Sequence, residues 1–136
     1  MPYAITQAAD LLRVRLHGVL TTKSLMDLAA ELAELEGRLP TAVSRIVDLR
    51  ECTGIDVNFS AMLKLGQART AVQLPNPVKS ALLAPDPILY GFARMFQSLN
   101  ANPSITIAIF PDEASALAWL HEPGLAPPAR PWVPGG

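Results

Sequence analysis

Three short apolar runs, AVSRIVDL (residues 42–49), VKSALLA (78–84) and ITIAIF (105–110), are spaced along the chain by stretches whose apolar residues recur at helical intervals. Strand-like runs of this kind, apolar without regular alternation, suit burial on both faces, the condition of a parallel sheet. Parallel neighbours need a crossover, and a helix is its usual form. The alternation therefore restricts the chain to α/β architectures. The first segment, YAITQAADLLRVRLHGVL (3–20), reads differently: Ala9-Asp10 supplies a turn, after which Leu12, Val14 and Leu16 alternate with Arg13, Arg15 and His17. One face is apolar and the other wet, so this hairpin is expected to place an antiparallel strand at or near a sheet edge. The expected order is β-β-α-β-α-β-α-β-α: a mixed, mostly parallel β-sheet with helices packed on both faces.

The helices can be placed from their punctuation. Ser24, with Asp27 three residues on, resembles a capping arrangement ahead of the stripe Leu25, Leu28, Leu32 and Leu35; Gly37 and Pro40 stop that helix. RECTGID (50–56) reads as a loop into a second helix over 58–73, with Phe59, Met62, Leu63, Ala68 and Val72 supplying apolar contacts. Pro85 closes the second of these apolar strands, VKSALLA, Asp86 is placed as an N-cap, and Pro87 takes the first helical position. In that third helix Ile88, Leu89, Phe92, Phe96 and Leu99 are expected to face the sheet. Tyr90 and Arg94 share another face within reach of each other, and Gly91 offers a place for close approach. Asp112 starts the last helix.

At 136 residues the chain fits one domain, read as residues 1–121, followed by a Pro/Gly-rich tail over 122–136. The tail's composition predicts an unstructured segment; the alternative is that Trp132 docks. The net charge of −1 argues against a nucleic-acid binder. No apolar stretch approaches the roughly 20 residues that cross a bilayer, and no basic-then-apolar leader opens the chain. A single cysteine excludes an internal disulfide and fits a reducing compartment, so the expected location is cytoplasmic.

Chemistry-bearing residues gather where the parallel strands end: Asp48 and Arg50, then Asp56, Asn58 and Ser60, then Asp86 and Asp112. Asp86 and Asp112 read as helix caps, and Asp56 or Asn58 as the cap of the second helix. Cys52 has neither His17 nor His121 predicted beside it, so no nucleophile–base pair is assembled. Two isolated histidines and one cysteine give no metal-ligand spacing, and no glycine loop cradles phosphate. The expectation is a non-enzymatic protein without cofactor or metal. A partner- or ligand-binding surface is expected over Asp56, Asn58, Phe59, Ser60, Met62, Leu63 and Lys64, joined by Tyr90 and Arg94. The partner is another protein; the alternative is a small apolar or lipid-like ligand held in a groove by Met62, Phe92, Met95 and Phe96. An open edge strand and an apolar second helix permit a homodimer.

The element order, VDLRECTGID (47–56), LLAPDPILYGFARMF (82–96) and IFPDEASALAWL (109–120) resemble the SpoIIAA-like family, close to STAS domains, the anti-sigma factor antagonists, and related in fold to the CRAL-TRIO (SEC14) lipid-binding domains. The resemblance covers residues 3–121, and YGFARMF and ALAWL are its most specific pieces. It implies a sheet with helices, no catalysis, and binding of a protein or an apolar ligand. Anti-sigma factor antagonists carry Asp-Ser-Ser-Gly or Asp-Ser-Thr-Gly at the second helix, with the second hydroxyl as phosphoacceptor. Matching Asp56 to that aspartate places Val57, Asn58 and Phe59 next, so the acceptor hydroxyl is missing and no phosphorylation switch is expected there.

Overall fold

In the computed structural model, which describes residues 2–135, Ala9 adopts a φ of 54° and turns the chain back on itself. This two-residue turn joins β1 (Tyr3–Ala8) antiparallel to β2 (Leu11–Thr21). From β2 the chain alternates: α1 (Thr22–Arg38), β3 (Ser44–Asp56), α2 (Phe59–Thr70), β4 (Val78–Leu83), α3 (Pro87–Leu99), β5 (Ile105–Phe110) and α4 (Glu113–His121). The sheet runs β1-β2-β3-β4-β5, with β2 to β5 all parallel.

Each crossover steps to the next strand in the same direction. Crossovers of one hand that step the same way lie on one face, so α1, α2 and α3 share a face and α4 alone covers the other. Val14, Leu16 and Leu20 of β2 pack with Leu25 and Leu28 of α1, Leu65 of α2, and Leu89 and Ala93 of α3. On the opposite face Ile46, Ala81, Leu83, Ala108 and Phe110 pack against Ala116 and Trp119 of α4. Helices do occupy both faces, three against one. Every residue of the interior strand β4, flanked by β3 and β5, is buried, as its unbroken VKSALL requires.

The structure departs from the sequence reading in four places. RECTGID is strand, not loop: β3 continues through it because the 11-residue β2 offers a partner as far as Thr21–Asp56. β4 pairs only with Arg45–Asp48, so residues 49–56 of β3 project beyond it as a two-stranded ribbon with β2. The cap of α1 is Thr21, whose hydroxyl accepts from Ser24 N at 3.1 Å while Ser24 Oγ accepts from Thr21 N at 3.1 Å; Gly37 lies inside that helix. In α2 the cap sets the phase so that Ala61, Met62, Leu65, Gly66 and Arg69 turn inward, leaving Phe59 and Leu63 exposed. Finally, Ile88 of α3 is exposed rather than facing the sheet.

Residues 122–135 form no helix or strand, but they touch the domain. Lys79 Nζ donates to Trp119 O at 2.7 Å and Glu122 O at 2.9 Å, and lies 5.0 Å from the centre of the Trp119 ring. Trp119 Nε1 donates to Ala126 O at 3.0 Å. Further on, Trp132 meets Tyr90 edge-on at 5.5 Å between ring centres.

Candidate functional site

Four helices begin just beyond the carboxyl ends of the parallel strands, and each start is satisfied by a side chain. Besides Thr21, Asn58 Oδ1 accepts from Ala61 N at 2.8 Å, Asp86 Oδ1 from Ile88 N at 2.7 Å, and Asp112 Oδ1 from Ser115 N at 2.8 Å. These amides are already used by the chain, as helix starts require. Asn58 is the cap of α2, and Asp56 is the exposed last residue of β3.

The β2–β3 ribbon carries the start of α2 outward. Phe59 is 61% exposed and Leu63, one turn on, is 38% exposed. Ser60 and Lys64 are exposed beside them, while Met62 is buried in the interior. Val19, half exposed, lies on the same ribbon. Of the nine residues expected to form a binding surface, Asp56, Phe59, Ser60, Leu63 and Lys64 thus form an exposed group with Asn58 at its helix cap. Tyr90 and Arg94 belong elsewhere. They line a groove of about 270 Å³ closed by Pro127, Pro131 and Trp132 of the tail. They also take different partners: Tyr90 meets Trp132, and Arg94 Nη1 donates to Gln97 Oε1 at 2.9 Å.

On the α4 face, Arg50 grips Asp48 through Nε at 2.9 Å and Nη2 at 2.8 Å. Burial alone pushes the Asp48 carboxyl up, but the hydrogen bonds and charge of Arg50 outweigh it and hold it below the usual carboxylate range. Arg13 Nη1 donates to Glu113 Oε1 at 2.7 Å nearby. Cys52 pairs with Gly18 across the ladder, so His17 is only one position away, closer than the sequence reading placed it. The two do not work together: Cys52 packs against the core on the α1–α3 face, whereas His17 is exposed. Burial, then Asp48 and Glu51, push the thiol up to about 11, far from an activated nucleophile. Among the described residues no three His, Cys, Asp or Glu side chains are grouped to hold a metal.

A buried charged group escaped the sequence reading. Glu36 of α1 accepts from Arg69 Nη1 and Nη2, both at 2.9 Å, and from Arg45 Nη1. The signal was present in the phase of the chain: Glu36 continues the buried stripe through Leu28 and Leu32, Arg69 that of Met62 and Leu65, and Arg45 interrupts an apolar strand. Beside it, between α1–α3 and the sheet, lies a cavity of about 90 Å³ lined by Leu28, Leu65, Leu82, Phe92 and Phe96, with Arg45 and Arg69 in its wall. Of the residues expected to form an apolar groove, Phe92 and Phe96 reach this cavity; Met62 and Met95 do not line it.

No protein-family model and no curated protein matches the sequence. Solved structures do. An uncharacterised DUF3478-family protein with a SpoIIAA-like fold, from Shewanella loihica PV-4, superposes with a TM-score of 0.57 at 19% identity, over 87% of this chain and 91% of that one. The anti-sigma factor antagonist SpoIIAA in its unphosphorylated form superposes with a TM-score of 0.54 at 18% identity, over 86% of this chain and 94% of that one. The chain has the SpoIIAA-like fold. The resemblance read from VDLRECTGID and YGFARMF is borne out at the level of fold, with the same mixed sheet and strand–helix order. No helix among the described residues is long and apolar enough to cross a membrane.

Proposed function

We propose that this SpoIIAA-like protein is a non-enzymatic regulatory module that binds a protein partner through the start of α2 and the tip of the β2–β3 ribbon. The observation that carries this reading is the outward placement of Phe59 and Leu63, one helical turn apart, with Lys64 beside them. Adjacent exposed apolar residues rimmed by polar ones mark interaction sites, and an aromatic anchor is the residue type that dominates such interfaces. The raised Cys52 thiol and its separation from His17 support the non-enzymatic part. A reducing, cytoplasmic setting suits the single thiol.

Regulation acts through occupancy rather than phosphorylation. A phosphoryl group at the α2 start would need the amide that Asn58 already occupies and would face Asp56. Quantitative recovery of co-purifying proteins from the native cells tests the docking surface: Phe59→Asp and Lys64→Glu are expected to deplete specific partners at least tenfold while the fold, read by circular dichroism, is retained. Unchanged recovery of every partner overturns the reading. Intact-mass analysis of the same material tests the regulatory part; a substantial species heavier by about 80 Da mapping to Ser60 overturns it.

The ligand-carrier alternative has less support. The cavity, at about 90 Å³, is below the roughly 300–1,000 Å³ of pockets that hold drug-sized molecules.

A further inference from the structure

The cavity beneath α1–α3 has a charge that its apolar walls do not explain. Arg45 and Arg69 both line it, and a single carboxylate, Glu36, serves both. Two guanidinium groups against one carboxylate leave one positive charge in excess, on side chains no more than 8% exposed. Arg45 Nη2 donates to Val43 O at 2.9 Å, but the buried Nε–H of Arg45 has no partner. Buried ions are tolerated when paired and fully hydrogen-bonded; this group is paired through Glu36, but its charges do not balance and one N–H is unmet. Ser80 and Asn100 also line the cavity.

We propose that the cavity binds a short monocarboxylate, whose carboxylate balances the Arg45–Glu36–Arg69 group and whose alkyl part fills the space against Leu65 and Leu82. Size narrows the class. An apolar cavity of about 150 Å³ accepts benzene, six heavy atoms. At about 90 Å³ this one takes about four, the size of acetate, with propionate one atom larger at its upper limit. A long acyl chain is too large. Phe92 and Phe96, half-buried, line the cavity on its α3 side. This site is separate from the Phe59 surface, and either can fail without the other.

The probe is propionate, titrated into the full chain by NMR alongside propanol and propionamide as neutral controls. The Arg45 Nε–H resonance and the methyl groups of Leu65 and Leu82 are followed. Propionate is expected to give saturable shifts with a millimolar dissociation constant, about tenfold tighter than propanol. Arg45→Met leaves Glu36 paired with Arg69 alone and is expected to erase that tenfold preference. If Arg45→Met does not fold, Ala29→Leu, which fills the cavity from α1, is expected to abolish binding. Propionate binding no more tightly than propanol overturns the proposal in the wild-type titration alone. So does propionate binding unchanged in either variant.

Discussion

At Glu36 one carboxylate carries two guanidinium groups in the interior. Burial by itself pushes its carboxyl up; the hydrogen bonds and charge of Arg69, and then of Arg45, outweigh burial and hold it below its ordinary value of 4.5. A depressed folded-state value means that this stabilisation is fully present above about pH 4.5 and is lost as pH falls through the folded-state value. Asp48, held down by Arg50, acts in the same direction. Urea midpoints are therefore expected to fall on acidification below that point, and Glu36→Gln should reduce the slope. At neutral pH Glu36→Gln should cost about 3–5 kcal/mol, because it strands two buried cations; a variant as stable as the parent contradicts the arrangement. Cys52 gives a second residue-scale test. With its thiol at about 11 against an ordinary 9.0, its thiolate fraction near neutrality is lower by about 100-fold. Iodoacetamide should alkylate it far more slowly than a free thiol, and equal rates would show that the thiol is not suppressed.

Two helical glycines separate what an element needs alone from what packing imposes. Gly91 in α3 reads in sequence as a place for close approach, yet a Cβ there meets nothing within 4 Å. Gly91→Ala should stabilise the protein by about 0.5–1 kcal/mol, the ordinary helical gain. Gly66 in α2 is the true close approach: a Cβ would come within 2.9 Å of Leu99 Cβ and 3.2 Å of Leu99 O. These are not the far ends of flexible side chains, so α2 and α3 must part to admit it. Gly66→Ala should therefore cost up to about 2 kcal/mol, with the strain of overpacking exceeding the propensity gain. Urea denaturation of both variants checks the pair, and a gain in stability at Gly66 would contradict the close helix contact.

The molecule as a whole is a five-stranded sheet whose edge strand β5 is flanked by the tail. We expect the domain to fold without it. A chain ending after Glu122 keeps both Lys79 acceptors but loses the Trp119–Ala126 hydrogen bond and the Trp132–Tyr90 contact. It should unfold cooperatively with a loss of about 1–2 kcal/mol; failure to fold would make the tail part of the domain. The order of elements was legible in the sequence, as were the antiparallel start, the buried β4 and the caps at Asn58, Asp86 and Asp112. Each depends on a residue and its near neighbours: the period of apolar positions, or an oxygen next to free amides. What the sequence left undetermined depends on distant partners. RECTGID is extended because β2 is long enough to pair with it. Phe59 and Leu63 face outward because Met62 and Leu65 are the residues that meet the core. Glu36, Arg45 and Arg69 come from three separate elements, and Tyr90 and Trp132 are joined across forty-odd residues. Local chemistry determined which elements form and where they start; only the tertiary structure decided which faces they bury, because burial is a property of what lies opposite.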